Sequence, residues 1–440
     1  MFTYDVLATE ALDRLDELSP PTPKSDEPKP STGETTDNEN PPPCHRDLYA
    51  LLEQHHHQDA TLTGLWTDLT TTPSWVSWPQ LARGQKVFYR YAGPSVVALT
   101  FHSLLGGMGS RRVVETLSRT GGFGVHIARR RLLETFHHIL DITRDLPSIQ
   151  PGGDGFRSSI RVRLLHASVR RRILRLAGTN PSYFDISTLG IPISDLDSIA
   201  TILTFSSTLL HIGFPRQGII PTQAEEADYL ALWRYIAHLL GTPTHSFLRS
   251  PTLAKAAMES LLLSEITPTL TSQRLANNII AALQNTPPAY ASANFLRAEA
   301  YWLNGAQLAK ALGIPRPPWY HTLLVAGQCG LFLGLCYAKR AVPGWDEASI
   351  ARLRVRMREL TLELTEGREA THGFRHVPGL EVKEEEGGGG REGRKGMGVG
   401  AVEQRNLNVL LVVAALVGGM AWFVLRSVGA FRLLWSLRGV

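Results

Sequence analysis

SSIRVRLLHASVRRRILRLAG (residues 158–178) is the stretch on which the fold turns. On a helix, Val162, Leu165, His166, Val169, Ile173 and Leu176 fall on one stripe, with His166 at its centre. Arg163 and Arg170 lie about one turn before and after His166, both displaced to the same side; Val162 and Val169 are displaced to the other. A long helix with an apolar face and a histidine in the middle of it predicts an element buried inside a helical domain.

The flanking sequence carries the same period. Apolar residues recur at helical spacing through 95–106, 111–119, 125–144, 196–211, 223–241, 253–264, 270–284, 292–312 and 349–365. Alternating runs of strand type are scarce. Pro and Gly cluster between the periodic stretches, as in PSIQPGGDG (147–155) and IPRPPW (314–319). The expected class is therefore all-α, with one large helical domain over 46–380. No glycine cluster follows a strand in a βα unit, so GGFG (121–124) and GGDG (152–155) are loops rather than a nucleotide fingerprint.

Composition narrows the function classes. The 440 residues are 43% hydrophobic, enough for a sizeable core, and the net charge of +5 is only mildly basic. The three cysteines, Cys44, Cys329 and Cys336, form neither a disulfide framework nor a CxxC zinc pair, which points to a reducing compartment. The opening residues carry acids and no long apolar run, so no cleavable secretory signal is expected.

The ends read differently from the middle. Residues 1–45 are a short amphipathic helix (4–18) followed by a Pro-, Ser- and acid-rich segment that buries too little apolar surface to order itself. Residues 381–406 are a Gly-rich, charged linker. Within 407–426 lies VLLVVAALVGGMAWFVL, uncharged and apolar, which predicts a single-pass C-terminal transmembrane anchor followed by a short tail, 427–440. A second apolar stretch, TLLVAGQCGLFLGLCYA (322–338), is interrupted by Gln328 and glycines and reads as a buried core helix.

For His166, periodicity alone leaves two readings open. One is a core histidine bonded to a neighbour and flanked by solvated arginines, the commoner situation. The other is a haem ligand: neutral imidazole binds iron axially, Val162 and Val169 pack on the porphyrin, and Arg163 and Arg170 pair with its propionates.

RVRLLHASVRRRI (161–173) resembles the haem-ligand helix of the rubber oxygenases, or latex clearing proteins, and of their fungal relatives, the endoplasmic-reticulum-bound MpaB-type oxygenases. QLARGQKVFYRYAGPSVVALTFHSLLGGMG, GVHIARRRLLET, DLDSIATILTFSSTLL, DYLALWRYIAHLLGTP and LVAGQCGLFLGLCY are similar to the fungal branch, so the resemblance covers roughly 75–345. It implies a globin-related helical core with one b-type haem whose iron is held by His166. It also implies a distal Arg and Thr one turn apart, here Arg131 and Thr135, and an acidic general base one helix earlier, here Glu115. The rubber enzymes have a lysine just before the threonine; this chain has Glu134.

The activity so implied is haem-dependent oxidation by O2 of a lipophilic, isoprenoid-like substrate, by cleavage of a C=C bond, at the endoplasmic reticulum membrane with the bilayer as partner. No nucleic-acid partner is expected, because the basic helix lacks interleaved aromatic residues. The alternative is a protein that has lost haem and serves as a membrane-anchored scaffold or a basic binding protein using Arg161, Arg163, Arg170–Arg172 and Arg175.

Overall fold

The computed structural model describes residues 1–21, 46–120, 123–244, 247–365, 400–415 and 419–420. Among these residues the architecture is all-helical, with no strand beyond one isolated bridge between Ser110 and Ile266. The expected unstructured segment of 1–45 and the expected linker of 381–406 fall largely outside the described residues.

The helices run α1 (Val6–Leu18), α2 (Leu48–His55), α3 (Ala60–Thr70), α4 (Trp78–Arg90), α5 (Ala92–Ala98), α6 (Arg111–Ser118) and α7 (Val125–Thr143). There follow α8 (Leu146–Ile149), α9 (Asp154–Thr179), α10 (Ile186–Leu189), α11 (Asp195–Phe205), α12 (Gln223–Leu239) and α13 (Pro251–Glu265). The last are α14 (Leu270–Leu283), α15 (Ala293–Ala311), α16 (Trp319–Ala341) and α17 (Trp345–Leu364). The periodic stretches of the sequence thus correspond to helices, whereas α2, α3 and α4 were not marked by period. In α4 a buried Gln85 interrupts the apolar pattern; its amide donates to the Ile142 carbonyl at 3.0 Å and the Asp145 carbonyl at 2.7 Å.

The main core gathers α4, α9 and α12 with α1–α3 against it; a second core lies among α7, α14 and α15. The long α9 joins the N-terminal helices to the centre of the domain, and its rotation is held by charge. Arg163 donates from Nε to Asp5 Oδ2 at 2.7 Å and from Nη2 to Asp5 Oδ1 at 3.0 Å. Both side chains are nearly fully buried. The same carboxylate caps α1 by accepting the Ala8 amide at 3.2 Å. Two turns on, Arg170 donates to the carbonyls of Ile193 and Asp5 and to Thr9 Oγ1, with its guanidinium over the Tyr4 ring. Gly241, at φ +71°, leaves space for this pair: a Cβ there would sit 2.3 Å from Asp5 Oδ2 and 2.5 Å from Arg163 Nε.

Further along α9, Arg161 pairs with Asp47, and Arg171 pairs with Asp13 and Asp16. The acids of α1 and of the α2 cap therefore neutralise much of the arginine-rich helix. It is an internal charge seam rather than an open basic face, which removes the main support for a phosphate-binding reading.

The two membrane expectations meet different outcomes. Of the expected transmembrane helix 407–426, residues 407–415 and 419–420 are helical; 416–418 and 421–426 lie outside the described residues. The helical segments that are long and apolar enough to cross a membrane, among the described residues, are Asp195–Gly213 and Trp319–Ala341. The stretch 322–338 does form a helix, α16, but not the buried core element expected: only a third of its apolar window is buried.

Removing one partner of a buried pair strands the other charge. Asp5→Ala should therefore cost about 3–5 kcal/mol of stability, read by urea or thermal unfolding. A loss below about 1 kcal/mol, the level of a surface pair, would show that the clamp is not what holds α9.

Candidate functional site

Helices α7 and α9 cross and enclose, with α6, α11 and α13, a cavity of about 370 Å³. That size lies within the roughly 300–1,000 Å³ usual for cofactor and small-ligand sites. Its walls are mostly apolar, with Leu104, Met108, Phe123, Leu203, Trp233 and Met258 among them. Two irregular turns help shape it. In the π-helical segment Leu99–Leu105, which sends Ser103 and Leu104 to the wall, the Phe101 carbonyl accepts from Asn304 Nδ2 at 2.9 Å. A second π-helical segment, Leu209–Gly213, follows Thr208, also on the wall. Such π turns insert an extra residue and re-aim side chains, and they occur often at functional sites.

The polar residues reach the cavity at helical spacing. On α9, Val162, Leu165 and His166 line it at i, i+3 and i+4. On α7, Arg131, Glu134, Thr135 and His138 line it at i, i+3, i+4 and i+7. Two helices thus present a half-buried imidazole on one wall and a guanidinium, a carboxyl and a hydroxyl on another. His138 is bound across the helix pair, its Nδ1 lying 2.8 Å from Ser158 Oγ.

Arg131 is buried, its guanidinium 5.5 Å from the centre of the Phe123 ring, and donates to the Thr120 carbonyl and hydroxyl. Burial pulls its pKa down to about 10, with Glu134 opposing; it is still cationic at neutral pH. Glu134 faces Arg130 at 3.6 Å, and burial pushes its carboxyl above the ordinary carboxylate range, with Arg130 and Arg131 opposing. Asp197 and Glu265, the other carboxylates on the wall, are both paired with Arg112.

Several predicted site residues stand elsewhere. Glu115 does not line the cavity; it is paired with Arg119 one turn on in α6, at 2.5 Å. Arg163 and Arg170, expected to meet propionates, are turned to the N-terminal segment and committed there. Val169 packs in a separate cluster with Ile173, Tyr183 and Phe184 instead of on the cavity wall. The expected set is thus split: His166, Val162, Arg131 and Thr135 share the cavity, and the other four do not.

Sequence reasoning missed two groups. Glu134 was noted only as a departure from a family lysine, yet its i+3 spacing from Arg131 places it on the same wall. Arg112 was not singled out. Its Nη2 donates to Asp197, while its buried Nη1, on the cavity side chain, finds no hydrogen-bond partner among the described residues. The signal for it was weak, since its acidic partners lie far away in sequence.

The described residues hold no cluster of three or more His, Cys, Asp or Glu able to take a metal ion. The cavity fits a haem on three counts: an imidazole, that of His166, on the α9 wall, extensive apolar surface, and a buried orphan guanidinium nitrogen suited to a carboxylate.

No curated protein matches the chain. Among solved structures, latex clearing protein in its closed state is similar to this chain, with 19% identity and a TM-score of 0.59 over 80% of this chain and 90% of that one. At that identity the likeness is one of fold: the two chains share an all-helical architecture. The sequence model of the ER-bound oxygenase mpaB/B'/rubber oxygenase catalytic domain matches residues 89–333, which include both α7 and α9. Matched over more than half its length, the chain belongs to this oxygenase family.

Proposed function

We propose that the cavity holds one b-type haem through His166 and that the chain uses O2 to cleave a C=C bond of a lipophilic, isoprenoid-like substrate. The observation that carries this is the placement of His166 on an apolar cavity wall, facing the space that Arg131, Glu134 and Thr135 also line. A haem held there would supply one-electron and dioxygen chemistry.

The chain's own residues have separable tasks. His166 offers a ring nitrogen to iron. Arg112, through its unpartnered Nη1, is suited to a propionate in place of Arg163 and Arg170. Arg131 and Thr135 are hydrogen-bond donors on the α7 wall. The apolar walls bind a hydrocarbon chain and exclude water, which strengthens every polar contact inside. Glu134 is suited to accept an allylic proton at a carboxylate oxygen, the role first expected of Glu115. Its raised pKa brings it closer to neutrality, where a general base works best.

Membrane residence belongs to the same proposal. The apolar run in 407–426 behind a glycine linker would tether the domain to a bilayer, at the endoplasmic reticulum, where a lipophilic substrate partitions.

The cofactor reading is tested by absorption spectroscopy on protein made with ample haem. The purified chain should show a Soret band and about one iron per chain, and His166→Ala should lose or strongly shift the band. A colourless wild-type protein, or an unchanged band in His166→Ala, contradicts it.

Glu134 makes a prediction with a sign in pH. Only the ionised carboxyl accepts a proton, so turnover should fall as pH drops through its raised pKa and hold above it. Glu134→Gln should remove that acid limb and lower O2 consumption on an isoprenoid olefin by roughly 10²–10⁴-fold at unchanged haem content. Glu115→Gln should leave both nearly intact. The reverse pattern would return the role to Glu115.

A further inference from the structure

Helix α16 is inverted relative to a water-facing helix. Two polar side chains in its first half point inward: His321 is 6% exposed and Gln328 4%. Its large apolar side chains point outward: Trp319 is 75% exposed, Leu323 49%, Leu335 43% and Leu333 42%. A surface helix in water shows the opposite order, and a contiguous apolar face of this kind marks a partner.

We infer that this face of α16 lies in the surface layer of a lipid bilayer, as a second membrane contact beside the C-terminal run. Three observations select a bilayer over a protein partner. First, the aromatic residues are bracketed at the two ends, Trp319 and Tyr320 at the start and Tyr337 and Trp345 at or just past the end, all exposed. Aromatic rings with a polar edge settle at the level of lipid headgroups. Between them the exposed residues are Leu323, Leu333, Gly334 and Leu335, with Thr322 the one polar side chain among them.

Second, α16 is joined to the beginning of the apolar C-terminal run. Gly327 lets the two approach: a Cβ there would sit 2.6 Å from the Asn406 carbonyl oxygen and 2.8 Å from Leu410 Cγ. Gln328 accepts from Asn406 Nδ2 at 3.4 Å while its own amide donates to the buried Glu299 on α15. On the adjoining helical stretch 401–415, Leu407, Leu411, Val412 and Val413 are exposed, so the apolar surface continues from one helix to the other. The sequence then runs on without charge to Leu425.

Third, α16 is fixed to the domain at the end nearer Tyr337. Arg340 donates to Tyr91 Oη at 2.6 Å and faces Glu225, which Arg90 also binds. Both neighbours, α15 and α17, pack on the domain, so α16 cannot traverse a bilayer and instead lies along it, embedded by about 5–10 Å. The domain would then rest on the membrane rather than swing from its tether.

This inference shares membrane residence with the proposed function and is independent of haem. It is tested on the full-length chain with Cys44, Cys329 and Cys336 replaced by alanine and an environment-sensitive fluorophore attached at Leu333→Cys. The protein is combined with phosphatidylcholine vesicles carrying doxyl-labelled acyl chains. Emission at position 333 should shift to the blue and be quenched several-fold by the doxyl lipid. A label at Glu17→Cys, on the polar side of α1, should stay water-like. Leu323→Cys repeats the measurement should the first variant fail to fold. Three results overturn the inference: a water-like, unquenched label on protein that floats with the vesicles; a blue-shifted but unquenched label, meaning a protein surface covers α16; and failure of the chain to float at all. The first two leave the C-terminal tether standing; the third removes it as well, and none bears on the Soret band.

Discussion

The buried ion pair between Asp5 and Arg163 sets the orientation of α9, and everything proposed for the cavity depends on that orientation. A helix offers each face only at one rotation. With Arg163 bidentate to Asp5 and Arg170 held two turns on, the neighbouring flank of α9 turns Val162, Leu165 and His166 to the cavity. Turning α9 would separate two charges in a medium that solvates them poorly, which costs more than most packing defects. The N-terminal helix, remote in sequence, is thus part of the site's support.

The crossing of α7 over α9 converts this support into a chamber. Each helix contributes residues at i, i+3 or i+4 spacing, so the polar groups stand in two rows separated by space. His138 and Ser158 tie the rows together across the crossing. The remaining walls come from α6, α11 and α13, which Arg112 links by binding Asp197 and Glu265 at once. The outcome is a few charged groups in a mostly apolar enclosure, where electrostatic interactions are strong and water is scarce. An oxygenase acting on hydrocarbon needs both properties. The exposed apolar face of α16 extends the same logic outward, since the lipophilic substrate proposed for the cavity partitions into membranes.

Local order was largely legible in the sequence, and long-range partnership was not. The 3.6-residue period marked α6, α7, α9 and α11–α15 because each buries a regular apolar stripe. It failed at α4, where Gln85 is buried through hydrogen bonds to the α7–α8 turn, an arrangement that no wheel displays. His166, Arg131 and Thr135 were singled out by the family resemblance, and the fixed spacing within each helix carries them to the cavity wall. Arg163 and Arg170 were assigned correctly to one flank but to the wrong partner, since Asp5 lies 158 residues from Arg163. Glu115 was taken from the resemblance, on a short match one helix before Arg131, yet it pairs with Arg119, and the carboxyl on the wall beside Arg131 is that of Glu134. The outward face of α16 was concealed because an apolar run reads alike whether protein or lipid surrounds it.

The central claim is that His166 is the protein's bond to iron. The most direct measurement is an experimental structure of the chain purified with haem. The account predicts a single porphyrin between α7 and α9, its iron bonded to the His166 ring and a propionate near Arg112. Iron bound by another residue, or a porphyrin outside this cavity while the His166 ring packs against protein, would contradict it.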